Sequence, residues 1–181
     1  MKALVYTGVE ELIYRDEKDP VETSGESILK VHASGICGSD MHAYHGKDER
    51  RIAPLIIGHE VSGVIQNGKF QGKNAVLNPL ITCGKCEYCT SGREHLCPHR
   101  VLLGMNRPYE RQGVFAELVS SPNQNIYEVP DHLNLNEAAI AEPTAVALHA
   151  VLMGESSLTK PLSECRLSLI HISEPTRRYS I

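Results

Sequence analysis

The sequence contains no tryptophan and only two phenylalanines among 181 residues, and aromatic residues make up 5% of the chain. Stacking platforms for single-stranded nucleic acid are therefore scarce. Positive charge is not in excess either: 18 Lys and Arg stand against 22 Asp and Glu, a formal net charge of −4. Without a basic footprint, no nucleic-acid partner is expected. No apolar run approaches the length that crosses a bilayer, so no membrane association is expected. The start, MKALVYTGVE, offers neither an apolar h-region nor a cleavage site. That argues against secretion and structural disulfides and places the chain in the cytoplasm. Finally, no two glycines form a Gly-x-Gly pair. The phosphate turn of a dinucleotide-binding βαβ unit is missing with them.

What the chain does have is 41% hydrophobic residues, enough for one domain or slightly more. Short alternating or apolar runs, broken by Gly, Pro and Asn, dominate the first 130 residues. KALVYTG, SILKVHASG, EVSGVIQNG, AVLNPLIT, GVFAELVSS and NIYEVP all read as β-strands. Helical signal is concentrated later. Asn134 stands three residues before Glu137 in a capping-box arrangement. Pro143 either interrupts that helix or starts a second one, TAVALHAVLM, which is expected to stop at Gly154. His149, on this Ala-rich stretch, reads as a packing histidine.

Cys83, Cys86, Cys89 and Cys97, in CGKCEYCTSGREHLC, are spaced Cys-x2-Cys-x2-Cys-x7-Cys. Four thiolates close the tetrahedral shell of a zinc ion, leave no open position for a substrate, and tie the loop into a rigid lobe. An iron-sulfur run shares the first two gaps and the terminal Cys-Pro, but its third gap is shorter. A structural zinc site is expected.

A second constellation lies outside that run. GICGSDMHAYHG presents Cys37, PLIIGHEVSGVI presents His59 and Glu60, and AEPTAVALHA places Glu142 at a helix start. One thiolate, one imidazole and one or two carboxylates suit a zinc ion with an open position, as catalysis requires. Singly, each residue has an ordinary structural explanation; together, arranged around the cysteine run, they carry weight. Neighbouring side chains on a regular strand face opposite ways, so His59 and Glu60 reach one metal only if the backbone bends at Gly58. Glu60 is either a ligand or a residue just behind the ligands. Ser39, beside Cys37, and His42, one helical turn on, form a candidate proton path to solvent.

The segments CGSDMH, GHEVSG, CGKCEYC, GVFAEL and AEPTAVALHA, in this order and from Met1 to about Arg166, resemble the zinc-dependent medium-chain alcohol and polyol dehydrogenases. The resemblance implies a mainly β fold: a GroES-like, partly open β-barrel with a zinc-bound lobe and C-terminal helices, normally joined to a Rossmann-type NAD(P)-binding half that is absent here. It implies structural zinc for the four cysteines. It also implies catalytic zinc for Cys37, His59 and Glu142, with Glu60 as an alternating ligand. The activity implied is zinc-assisted hydride transfer from a small-molecule secondary alcohol or polyol to NAD or NADP, in a full-length homodimer or homotetramer. Glu142 stands where the alcohol-dehydrogenase branch carries Cys, so the sequence is more similar to the sorbitol, galactitol-phosphate and threonine branches. GKNAV and single-glycine GVFAEL depart from the family pattern without touching a proposed ligand.

These features divide the chain into a catalytic domain at 1–153, the start of a crossover to a cofactor domain at 154–166, and a tail at 167–181. In that tail LSLIHISEPTR matches the in-frame translation of a transposon-type sequencing adapter and reads as non-native. The expected fragment binds zinc and is inactive alone. A standalone zinc-binding interaction module is the alternative; a zinc-free quinone reductase relative is disfavoured by the Cys37, His59 and Glu142 set.

Overall fold

The computed structural model describes residues 1–156. The expectations for 167–181, and for the crossover beyond residue 156, lie outside the described residues. The strands are β1 (Lys2–Gly8), β2 (Glu11–Asp16), β3 (Glu26–Gly35), β4 (Leu55–Ile56), β5 (Glu60–Ile65), β6 (Asn74–Leu77), β7 (Leu80–Ile81), β8 (Val101–Leu102), β9 (Leu118–Pro122) and β10 (Ile126–Glu128). The helices are α1 (Gly38–Tyr44), α2 (Glu87–Thr90), α3 (Leu135–Ala138) and α4 (Ala141–Ser156).

The strands form a five-stranded sheet in the order β10-β6-β5-β3-β9, a three-stranded sheet β2-β1-β4 and the pair β7-β8. Every pairing is antiparallel. None of the described strands forms the parallel ladder that a doubly wound nucleotide-binding sheet requires. The two larger sheets are stitched by an Ala3–Ala116 bridge and by the Leu4 N–H donating to Phe115 O at 2.8 Å. They curl into a partly open, mainly β barrel. Contacts make Met1–Thr144 one compact unit, with a second beginning at Ala145.

All six runs read as strands contribute strand residues, with one split: AVLNPLIT becomes β6 and β7, because Asn78 and Pro79 leave the ladder. ELIYRD, not anticipated, pairs along β1 as β2. Its exposed pattern gives no alternating apolar signal. The capping box at Asn134 is present, with the Glu137 N–H donating to Asn134 Oδ1 at 2.9 Å. Pro143 is the third residue of α4, where its missing N–H leaves no hydrogen bond unmade. The expected stop at Gly154 does not occur: α4 runs through it to Ser156. An interior glycine costs a helix about 1 kcal/mol without ending it. His149 is exposed rather than packed.

The main core cluster includes Leu29, Val61, Ile65, Leu77, Leu103, Val114 and Val119. Two smaller clusters centre on Val5 and Ile56, and on Tyr6, Leu55 and Ile57. Phe115 packs against all three. One of the two phenylalanines thus joins the sheets.

The geometry that matters for function lies where β3 ends and β5 begins. A bulge in β3 between Val31 and Ala33 shifts the register, after which Gly35 pairs with Glu60. Cys37 leaves β3 two residues later, and His59 immediately precedes β5. Residues distant in sequence therefore converge at one end of the sheet.

Candidate metal centres

The closed centre is built on the loop around α2. Among its sulfurs, Cys86–Cys89, Cys97–Cys83 and Cys83–Cys89 are 3.5, 3.6 and 3.9 Å apart. The edge of a tetrahedron with zinc–sulfur bonds of about 2.3 Å is about 3.8 Å, so these four thiols fit such an ion. The spacings are far longer than a disulfide, and all four cysteines are free. The amide N–H groups of Lys85 and Cys86 point at Cys83 and bring its thiol down to about 6. At Cys86 the help of the Cys89 amide is outweighed by burial and the neighbouring sulfurs, which push it up to about 11. A divalent cation would replace the shared protons. Cys97 is fully buried, while Cys83, Cys86 and Cys89 remain partly exposed.

The open centre lies where two elements begin. Cys37 is the N-cap of α1, His59 immediately precedes β5 and Glu60 opens it. Their ligand atoms all lie within 4.8 Å of one another. The bend that sequence geometry demanded is present: Gly58 has φ +92°, and a Cβ there would sit 2.5 Å from the Phe115 ring. Glycine is what allows both the left-handed backbone and the close packing. A Cβ on Gly35 would collide with the Glu60 carboxylate, which lies across that glycine.

Glu142, half-buried at the start of α4, is not within mutual reach of those three ligand atoms. It does feel their field. Burial raises its pKa; His59 opposes this, and the charges of Glu60 and Asp40 reinforce it. Ser39 and His42 share α1, but no hydrogen bond joins them. His42 is exposed, whereas Ser39 Oγ lies 3.4 Å from Arg51 Nη2 and accepts from it.

Two residues missing from the sequence reading organise this centre. Asp40, 2% exposed, accepts the Cys37 N–H on Oδ2 at 3.0 Å and places Oδ1 3.5 Å from His59 Nδ1. Neither Oδ1 nor Nδ1 makes another hydrogen bond among the described residues, although Oδ1 also lies 3.7 Å from Arg51 Nη2. A proton on Nδ1 suits that pairing and leaves Nε2 as the lone-pair donor, the arrangement a metal-binding imidazole needs. Burial opposes charge on His59, but Asp40 and Cys37 raise its pKa to about 8. Burial likewise opposes charge on Asp40, yet His59, the Cys37 amide and Arg51 hold its carboxyl below the usual range. The Cys-x-x-Asp spacing, an N-cap with an acid three residues on, was the available signal for Asp40. Arg51, within ERRI, carried no such signal.

A partly open antiparallel barrel that carries a four-cysteine lobe and a separate Cys-His-carboxylate cluster points to one class, a GroES-like domain. Residues 23–131, more than half of the chain, match the alcohol dehydrogenase GroES-like domain, and the chain belongs to the medium-chain alcohol and polyol dehydrogenase family. It is 36% identical over 163 residues to an L-threonine 3-dehydrogenase of Anaeromyxobacter sp. (strain K), a match covering 84% of this chain and 46% of the relative. It is 33% identical over 151 residues to a D-arabitol-phosphate dehydrogenase of Enterococcus avium, covering 80% of this chain and 42% of the relative. Among solved structures, galactitol-1-phosphate dehydrogenase from Escherichia coli superposes with a TM-score of 0.78 at 26% identity, over 85% of this chain and 45% of that one. The chain spans about half the length of the curated relatives it matches. No described helix is long and apolar enough to cross a membrane.

Proposed function

We propose that residues 1–153 form the metal-binding half of a zinc-dependent, NAD(P)-linked dehydrogenase that oxidises a secondary alcohol of a polyol, sugar or hydroxy amino acid. One observation carries this reading. A single chain holds a four-thiol cluster with the spacing of a closed tetrahedral site and, apart from it, a half-buried thiol gathered with a buried imidazole and carboxylate, three donors where a tetrahedral shell has four places. The first suits structure and the second suits catalysis. The substrates in the relatives' names, L-threonine and D-arabitol phosphate, support the substrate class.

In this reading Cys37, His59 and Glu142 would hold the catalytic zinc, with Glu60, beside His59, as an alternating ligand. A zinc ion held there would supply Lewis acidity toward an alcohol oxygen, and a nicotinamide cofactor would supply the hydride acceptor. The chain's own residues orient and neutralise. Asp40 fixes the imidazole so that one nitrogen faces the site, and the Cys37 thiol and the carboxylates provide the negative charge that retains a dication. The fields of Glu60 and Asp40 that make Glu142 easier to protonate are the ones a cation would relieve. Ser39, half-buried, and His42, exposed on the same helix, lead a released proton outward.

The 181-residue chain alone is proposed to bind zinc without turning over alcohols, since it lacks a Gly-x-Gly turn. Metal analysis of the purified protein tests the reading. Two zinc ions per chain are expected, falling to one in Cys37→Ser and to one in Cys86→Ser. One zinc in the wild type, unaffected by Cys37→Ser, would support a standalone zinc-binding module instead. NAD-linked turnover of a secondary alcohol by this chain would overturn the proposed inactivity.

A further inference from the structure

Arg51 sits where three segments meet, and its guanidinium is completely shielded from solvent. Nε donates to Gly104 O at 2.9 Å, and Nη1 donates to Asp48 Oδ2 at 2.5 Å and to Ser39 O at 3.3 Å. Nη2 donates to Ser39 Oγ at 3.4 Å and lies 3.7 Å from Asp40 Oδ1. One planar fork therefore grips the first turn of α1, the turn at 48–51 and the loop at Gly104. Full burial of an arginine is costly unless its donors are used, and here they are.

Two routes run from this fork to the open centre. Through Asp40 it reaches both the His59 ring and the Cys37 amide. Through Gly104 it reaches the residue before His59: a Cβ on Gly104 would lie 2.8 Å from Gly58 O and 2.9 Å from Gly58 N, so the two backbones are in close contact. The charge count points the same way. Asp40 and Asp48 side chains are 2% and 6% exposed and both face this guanidinium. Without it, Asp40 would have a second nearby carboxylate and no fixed cation except the imidazole that it is meant to orient.

We propose that Arg51 is a positioning residue for the open metal centre, holding Asp40 and the Gly58–Gly104 contact so that Cys37 and His59 present their donor atoms to a divalent cation together. The proposal rests on the metal-site reading above. It concerns a residue that contacts no proposed ligand side chain. Lysine cannot replace it fully, because a point charge cannot address Gly104 O, Asp48, Ser39 and Asp40 at once.

The two centres of one chain provide the test. Wild type, Arg51→Met and Arg51→Lys are loaded with Co2+ and titrated against a chelator. Absorption bands are assigned to the open centre by their loss in Cys37→Ser, and circular dichroism monitors folding. Arg51→Met is expected to weaken Co2+ at the open centre by about tenfold or more and to alter its ligand-field band, as loss of outer-shell support does elsewhere. Affinity at the four-cysteine centre should be unchanged, and Arg51→Lys should fall between Met and wild type. Wild-type affinity and spectrum at the open centre of a folded Arg51→Met, or equal weakening at both centres, would overturn the proposal. If Arg51→Met does not fold, Arg51→Lys decides, and a wild-type band and affinity there overturn it. Wild type that takes up a single Co2+ sinks the metal-site reading and the proposal together, whereas two Co2+ with an indifferent Arg51 sinks the proposal alone.

Discussion

Asp40 Oδ1 lies 3.5 Å from His59 Nδ1, and both atoms are buried without another hydrogen bond among the described residues. Eighteen residues lie between them in the chain, yet this contact favours a proton on Nδ1 and leaves Nε2 as the lone-pair donor. The other Asp40 oxygen holds the Cys37 amide. One carboxylate thus orients two candidate ligands.

Asp40→Asn should therefore weaken metal at the open centre by about 10- to 100-fold while sparing the four-cysteine centre. The amide keeps the size of the side chain but loses the charge that favours a proton on Nδ1. Chelator competition with Co2+ reads the two affinities separately, and an unchanged open centre would count against the role given to Asp40.

The lobe at residues 83–97 has little apolar burial apart from Cys97, so its order should depend on metal. Cys89→Ser is expected to cut the zinc content by one ion per chain and to expose the lobe to limited proteolysis after Arg93 or Lys85. The barrel itself should keep its strand signature in circular dichroism. A protease-resistant lobe in Cys89→Ser would contradict this dependence.

Gly58→Ala should destabilise the fold by about 1–3 kcal/mol from the left-handed backbone alone. The clash with Phe115 adds to that cost. Because His59 follows directly, uptake at the open centre should weaken as well. Urea denaturation and metal content check the two effects, and a neutral substitution would mean that the bend is not rigid.

Acid should weaken the protein between about pH 4 and pH 2 through Asp48. Burial opposes its charge, but Arg50 and Arg51 outweigh that and lower its pKa from an ordinary 3.8 to about 2. A depressed folded-state pKa stabilises above the unfolded value, and that contribution is lost as pH falls through the folded value. Asp48→Asn should be less stable than wild type near pH 6, and the gap should narrow towards pH 2. Urea midpoints across that range measure it, and a gap that stays constant with pH would refute the assignment.

The candidate metal ligands were legible because their residue types are rare and the spacings of the cysteine run are local. Cys83, Cys86, Cys89 and Cys97 lie within one short loop, so their grouping needs no long-range information. The strand runs of the barrel were legible for a similar reason, since alternation of apolar residues is a local record of a half-buried sheet. β2 escaped notice because its side chains are largely exposed. The continuation of α4 past Gly154 escaped because the helix cost of one glycine is small beside the turns that precede it.

The family and the identity of the candidate ligands followed from the sequence by itself, through motif order and donor chemistry. Tertiary structure decided how those donors are held. The bulge in β3 and the bend at Gly58 bring Cys37, His59 and Glu60 within 4.8 Å of one another. Asp40 and Arg51 became visible only as buried charges, because in one dimension SD and ERRI look like ordinary solvated turns. Burial raises the cost of an unpaired charge and thereby dictates its partners, and burial belongs to the folded chain rather than to any segment of its sequence.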